Sequence, residues 1–268
     1  MSTALKFTQS PWQRRSIMNF LRMSRPYMFT AVAEIDITEI LNKINECQRQ
    51  LKMAISLHGV MIYYLAQAAI QHPQTLSYRY GGQMVSFEDA DIASTMLRLC
   101  PDGKRRLMLY IFRAAQNQSL AQIQWQLRQA LRIPAAENPV MPGFFGGLYR
   151  RFWCWRMSHN PFLFKTHMGN LGITNLQSVS PNIKFNFFAP NPYTLCIGIG
   201  GVSDQVRLDS KGKPEVRKIL SVNVNADHAV LDGYPVAEFA LTISKMLSED
   251  SFDDNFVREM QAIKDKDG

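Results

Sequence analysis

Two rhythms of apolar and polar positions run through the 268-residue chain. In the segment 29–38, FTAVAEIDIT, the residues Phe29, Ala31, Ala33, Ile35 and Ile37 fall on one side, the period of two expected of a half-buried strand. Leu220, Val222 and Val224 alternate in the same way with Ser221, Asn223 and Asn225. Helical spacing follows Thr38, a capping residue type, with Ile40, Leu41, Ile44, Cys47 and Leu51 as the apolar stripe. Ser56 opens LHGVMIYYLAQAAIQ, which is apolar nearly all round and predicts a buried helix ending at His72-Pro73. His58 and His72, at its two ends, read as packing or capping groups. Ser119 caps LAQIQWQLRQALR, with Leu120, Ile123, Leu127 and Leu131 inward. A first helix is expected over 8–25, and short strands over 84–87, 91–97 and 106–113. Glycine-containing strands follow within 168–176 and 191–202, and a hairpin turn at Ser210-Lys211-Gly212-Lys213 leads back into the 220–225 strand.

Composition narrows the class. A chain of this length suits one large domain or two small ones, and 46% hydrophobic with 19% charged residues is ordinary for a globular protein. No run of about 18 apolar residues supports a membrane span. The first fifteen residues lack the apolar centre of a signal peptide. Cys47, Cys100, Cys154 and Cys196 are far apart and lack metal-ligand spacing, so a cytoplasmic setting and no metal are expected. The net charge of +8 is uneven: eleven Lys/Arg lie between Arg98 and Lys165 against Asp102 and Glu137, while the end of the chain is acidic. A basic middle could meet nucleic acid, an anionic membrane surface or a phosphate-bearing cofactor, or could be a solvated face. No nucleic-acid motif accompanies it, so coenzyme A or an acidic partner ranks above DNA or RNA.

The strongest candidate chemistry sits between the 220–225 strand and a C-terminal helix carrying Val236, Phe239, Ala240, Ile243, Met246 and Leu247 at helical spacing, with Pro235 in its first turn. The turn between them reads ADHAVLDG. A histidine in such a turn, at a strand end, can project into a cleft, and imidazole titrates closest to neutrality, which suits His228 to general-base work. From local chemistry alone, a surface turn with ordinary hydrogen bonds fits equally.

The order HAVLDG before an amphipathic helix resembles the HxxxDG motif of chloramphenicol acetyltransferases and of the catalytic domains of dihydrolipoyl acyltransferases. Asp227 looks like the dihydrolipoyl branch and Ala229 like the chloramphenicol branch. The opening tryptophan, paired arginines and strand ending in Asp36-Ile37-Thr38 resemble the chloramphenicol branch, as does VMIYYLAQA. The Pro26-Tyr27 step and NPYTLCIGIGGV are similar to the dihydrolipoyl enzymes.

The resemblance implies an α/β, two-layer chloramphenicol acetyltransferase-like fold, a mixed sheet covered by helices. It implies one acyltransferase domain over 1–250, with an insertion at about 133–165 and an acidic tail over 251–268, and a stand-alone catalytic domain without lipoyl or subunit-binding domains. It further implies a CoA-dependent acyl transfer to a hydroxyl or thiol in a ternary complex. His228 would be the base, Thr174 the oxyanion donor in place of a serine, and Asp232 the residue orienting the turn. Arg14 would pair with Asp232, and Asp227 and Gly233 would support the site. A homotrimer with the site between subunits is implied, with no nucleic acid.

The stretch Ile133–Lys165 departs from both branches and alternates aromatic with basic residues. It reads as a lid or tunnel wall, as a helix contacting a membrane through Tyr149–Met157, or as a packing helix at a subunit interface. Tyr27, Phe29, Phe152 and Trp153 are candidates for an acceptor or acyl-chain pocket. A non-catalytic or membrane-associated binding protein that keeps the fold is the alternative.

Overall fold

The computed structural model describes residues 18–101, 103–133, 143–176, 186–249 and 254–267. Its frame is a six-stranded mixed sheet. The strands are β1 (Met28–Asp36), β4 (Ile92–Leu99), β5 (Arg105–Phe112), β6 (Leu171–Asn175), β7 (Leu195–Leu208) and β8 (Pro214–Asp227), and their order is β1-β8-β7-β6-β4-β5. β6 runs parallel to both β4 and β7, and the other neighbours are antiparallel. A separate hairpin, β2 (Ser77–Tyr80) and β3 (Gln83–Ser86), turns at Gly81 and Gly82, whose φ of 56° and 81° favour glycine. The mixed sheet covered by helices is the fold class the sequence implied.

One face of the sheet carries α1 (Thr38–Leu51), α2 (Leu57–Gln71), α3 (Leu120–Arg132), α6 (Gly233–Glu249) and α7 (Asp254–Asp267). Ile92, Ile173, Ile197, Val222 and Val224 point into that layer and meet Leu65, Ile123 and Phe239 in one continuous core. Two caps differ in detail from the sequence reading. Thr38 is already helical, and both its N–H and its hydroxyl donate to Asp36. Ser56 caps α2 by position only: its N–H and C=O are held by the Gln124 amide at 3.0 and 2.8 Å. Ser119 forms the expected cap, a reciprocal capping box with Gln122. The segment expected as an acidic tail is a packed helix, because Phe256 and Met260 of α7 enter the core.

The second face is where the half-buried reading of β8 fails. Ser221, Asn223 and Asn225 are buried like their apolar neighbours. The chain around 186–191 and the neighbouring strand β1 supply partners for one polar atom of each. Ser221 donates to Asn186, the Asn223 amide to the Phe187 carbonyl at 2.8 Å, and Thr30 to Asn225 at 2.7 Å. Helices α4 (Gly143–Ser158) and α5 (Pro161–Met168) lie beyond this face, and Asp91 fastens α5. Its carboxylate accepts from Lys165 at 3.0 Å, from Arg113 at 2.8 Å and from the Ala114 N–H at 2.8 Å, while Arg113 also donates to the Lys165 and Thr166 carbonyls. Burial alone would raise the Asp91 pKa, but these donors outweigh it and hold the group below the usual carboxylate range.

His58 and His72 are packing and capping groups, as expected. His72 follows the last turn of α2 and bonds Thr242 at 2.8 Å. His58 is buried against Ser94 at 2.7 Å, and burial lowers its pKa from 6.5 to about 4. The folded state therefore stays neutral at His58 while the unfolded chain takes up a proton, so stability falls as pH drops from 6.5 toward 4. Between pH 7 and pH 5 this contribution is about 2 kcal/mol. Urea midpoints at fixed protein concentration should show a smaller acid-induced loss in His58→Asn than in wild type. An identical pH dependence in the two would mean that His58 takes its proton in the folded state.

Candidate active site

The turn after β8 is built by Asp227. Its N–H donates to the Thr194 carbonyl at 2.9 Å, its carboxylate accepts the Ala229 N–H at 3.0 Å, and its carbonyl accepts from Val230 and Leu231 at 2.9 Å. Leu231 is buried in the core and anchors the far end of the turn. The α6 stripe does the same for the helix that follows, with Val236, Phe239, Ile243 and Leu247 buried. Between these anchors His228 is left pointing outward, its side chain 58% exposed. Its N–H donates to the Tyr27 carbonyl at 2.8 Å, its ring lies 5.1 Å from that of Phe29, and its Nδ1 is 3.4 Å from Asp232 Oδ1. Asp232 is 81% exposed, so the contact orients the imidazole and adds little to stability. Beside the turn a cleft of about 300 Å³ is lined by Asp227, Ala229, Tyr27, Arg25, Arg79 and His159.

Thr174 lies elsewhere. It lines a largely apolar cavity of about 430 Å³ on the second face of the sheet, with Thr95, Phe187, Tyr193, Cys196 and Asn225 among its walls. Strand register gives its separation from His228. Thr174 is opposite Gly198 on β7, and Gly198 is opposite Asn223 on β8, five residues before His228. At roughly 3.3 Å per residue and 4.8 Å per strand, the two residues are about 20 Å apart in one chain. Thr174 lies near the C-terminal end of β6 and His228 just past the C-terminal end of β8, and these two strands run in opposite directions.

The structure thus brings His228, Asp232, Asp227, Tyr27 and Phe29 together and leaves Thr174 apart. Phe152 and Trp153, expected at the pocket, line neither of these two cavities. Phe152 is 55% exposed on α4, and Trp153 meets the Tyr149 and His167 rings edge to face. Arg14 lies outside the described residues, so its pairing with Asp232 does too. Gly233 shows no backbone need for glycine: its φ is not in the left-handed region, and a methyl group there would meet nothing within 4 Å. Gly172, which the sequence did not single out, is different. A methyl group would sit 2.6 Å from the Tyr193 ring and 2.8 Å from Cys196 Sγ, in the wall of the Thr174 cavity. Tyr193 cannot yield easily, since it is buried and its hydroxyl donates to the Met168 carbonyl at 3.0 Å. Gly172→Ala should therefore cost ~1–3 kcal/mol, read as a lower melting temperature, while Gly233→Ala leaves it nearly unchanged.

Cys47, Cys100, Cys154 and Cys196 are free and buried, and burial pushes the Cys196 thiol up to about 12, far from a reactive thiolate. Among the described residues no group of three His, Cys, Asp or Glu side chains could hold a metal ion.

Residues 166–252, which contain β6, β7, β8 and α6, match the family described as 2-oxoacid dehydrogenases acyltransferase (catalytic domain). No curated protein sequence matches the chain. A probable dihydrolipoamide acetyltransferase from Listeria monocytogenes superposes with a TM-score of 0.68 at 15% identity, over 93% of this chain and 97% of that one. The dihydrolipoamide acetyltransferase of Azotobacter vinelandii gives 0.68 at 16% identity, covering 92% of both chains. A chloramphenicol acetyltransferase gives 0.51 at 13% identity, over 89% of this chain and 96% of that one. The chain has the acyltransferase fold of dihydrolipoamide acetyltransferase cores and chloramphenicol acetyltransferase, and its segment 166–252 carries the sequence signature of the 2-oxoacid dehydrogenase acyltransferase catalytic domain.

Proposed function

We propose that the protein is a CoA-dependent acyltransferase that moves an acyl group from an acyl thioester to a hydroxyl or thiol of a small acceptor. The observation that carries this reading is His228, held by two anchored elements on an open turn with Asp232 at its Nδ1. With Nδ1 occupied, Nε2 is free to take the acceptor proton as the acceptor oxygen or sulfur attacks the thioester carbonyl. The carbonyl oxygen becomes an oxyanion, which the Thr174 hydroxyl stabilises by donating a hydrogen bond. Collapse of that intermediate breaks the carbon–sulfur bond and releases CoA as the thiol, with the proton returned from the imidazolium. In the Azotobacter vinelandii enzyme a serine, a histidine and an asparagine four residues beyond that histidine have a role in the catalytic mechanism. Asp232 stands at that spacing from His228 here, and Thr174 carries the hydroxyl.

A separation of about 20 Å between Thr174 and His228 exceeds any hydrogen-bonded transfer, so a complete site takes His228 from one subunit and Thr174 from the next. A homotrimer is the assembly proposed, with Tyr27 and Phe29 beside the acceptor. The basic cleft with Arg25 and Arg79 supports an anionic donor such as CoA. The 430 Å³ cavity beside Thr174 suits an apolar acyl group. Thiol release over a panel of acyl-CoA esters, with hydroxyl and thiol acceptors present and absent, tests the reading. Acceptor-dependent release supports it, and no release across the panel overturns it.

A further inference from the structure

Helix α4 presents a face that the described chain does not cover. Tyr149, Phe152 and Trp155 are 51%, 55% and 57% exposed, and Arg151 and Arg156 are exposed between and beside them. Their spacing of three and four residues puts them on one stripe, continued by Leu148 at 50% exposure. Phe152 and Trp155 rings lie 6.2 Å apart, so the aromatic surface is continuous. The opposite side of α4 is committed, with Cys154 buried and Trp153 edge to face with His167 of α5. α5 is in turn tied to the sheet through Lys165 and Asp91, so the aromatic stripe is a fixed outward surface.

Charge decides what fits it. The sequence from 138 to 203 contains no Asp or Glu, so Arg151 and Arg156 lie in a stretch that is basic without acidic residues interspersed. The helix spans 16 residues, about 24 Å, too short to cross a bilayer but long enough to lie along one. A single helix whose exposed aromatic rings are flanked by arginines suits a fluid anionic surface. The rings would enter the headgroup boundary while the guanidinium groups stay with the phosphates. We infer that the Tyr149–Arg156 face of α4 docks the protein on an anionic lipid bilayer. The inference is independent of acyl transfer.

The full chain should co-sediment with vesicles of phosphatidylcholine mixed with phosphatidylglycerol, and not with phosphatidylcholine alone. Its tryptophan emission should shift to the blue on binding. Arg151→Glu with Arg156→Glu should lower the vesicle partition coefficient by more than about tenfold. Phe152→Ser with Trp155→Ser should lower it similarly, and light scattering should give an unchanged mass for both double variants. Failure of the wild type to sediment overturns the inference, as does undiminished sedimentation of both variants. A change of mass in either variant would assign the face to a subunit contact and overturn it. So would wild-type protein that ignores vesicles yet is retained on heparin, which would assign the face to an acidic macromolecule.

Discussion

His228→Ala should abolish acceptor-dependent acyl transfer, lowering kcat by ~10²–10⁴-fold while the melting temperature and acyl-CoA affinity hold. Stability should hold because the side chain is 58% exposed, meeting the Phe29 ring at a tilt and the exposed Asp232 carboxylate. Affinity should hold because a base that acts only as the acceptor is deprotonated contributes to the transition state and not to the ground state. The turn itself does not depend on the imidazole, since Asp227 and the buried Leu231 fix the backbone on either side. Thr174→Ala should show a smaller loss, up to the ~10²–10³-fold seen when one oxyanion donor is removed. Thr174→Ser should keep most activity because the donor survives. Once an active substrate pair is in hand, full turnover by His228→Ala would remove the histidine from the mechanism. Equal losses in kcat and thermal stability would instead make His228 a structural residue.

The His228 turn was legible in the sequence because everything that builds it is local. Asp227 caps its own turn, Leu231 and Val236 anchor the next elements, and all fall within one strand, one turn and one helix. Thr174 could be named but not placed, since its distance from His228 follows from β6 lying two strands from β8 and running against it. Strand order of that kind leaves no periodic trace. The same reason hid the burial of Ser221, Asn223 and Asn225. Alternation says that two faces differ, and these polar residues are buried because residues far along the chain accept and donate their hydrogen bonds. Phe152 and Trp153 show the complementary failure. Aromatic residues occupy so many positions of 144–155 that no stripe is singled out, and only packing against His167 decides that Trp153 turns inward and Phe152 outward. Asp91 carried no signal at all, because Arg113 and Lys165 reach it from 22 and 74 residues away.

A mixture of two inactive proteins should be active. If the site takes His228 from one subunit and Thr174 from its neighbour, a His228→Ala chain still offers Thr174, and a Thr174→Ala chain still offers His228. Co-refolding the two in equal amounts puts a Thr174→Ala chain on the histidine side of an interface half the time. It puts a His228→Ala chain on the threonine side of that interface half the time, so about a quarter of the sites are intact. Activity should therefore recover to about a quarter of wild type, far above either parent, and a double variant co-refolded with either single variant should rescue nothing. Were both residues to act within one chain, the mixture would give only the sum of its parents. Light scattering on the wild type gives an independent reading, since a monomer near the chain mass of 30.6 kDa would exclude a shared site. The geometry makes the expectation strict: β6 and β8 are held in register by β7, whose pairs with both strands run through buried Ile197 and Ile199, so no local movement closes a gap of about 20 Å.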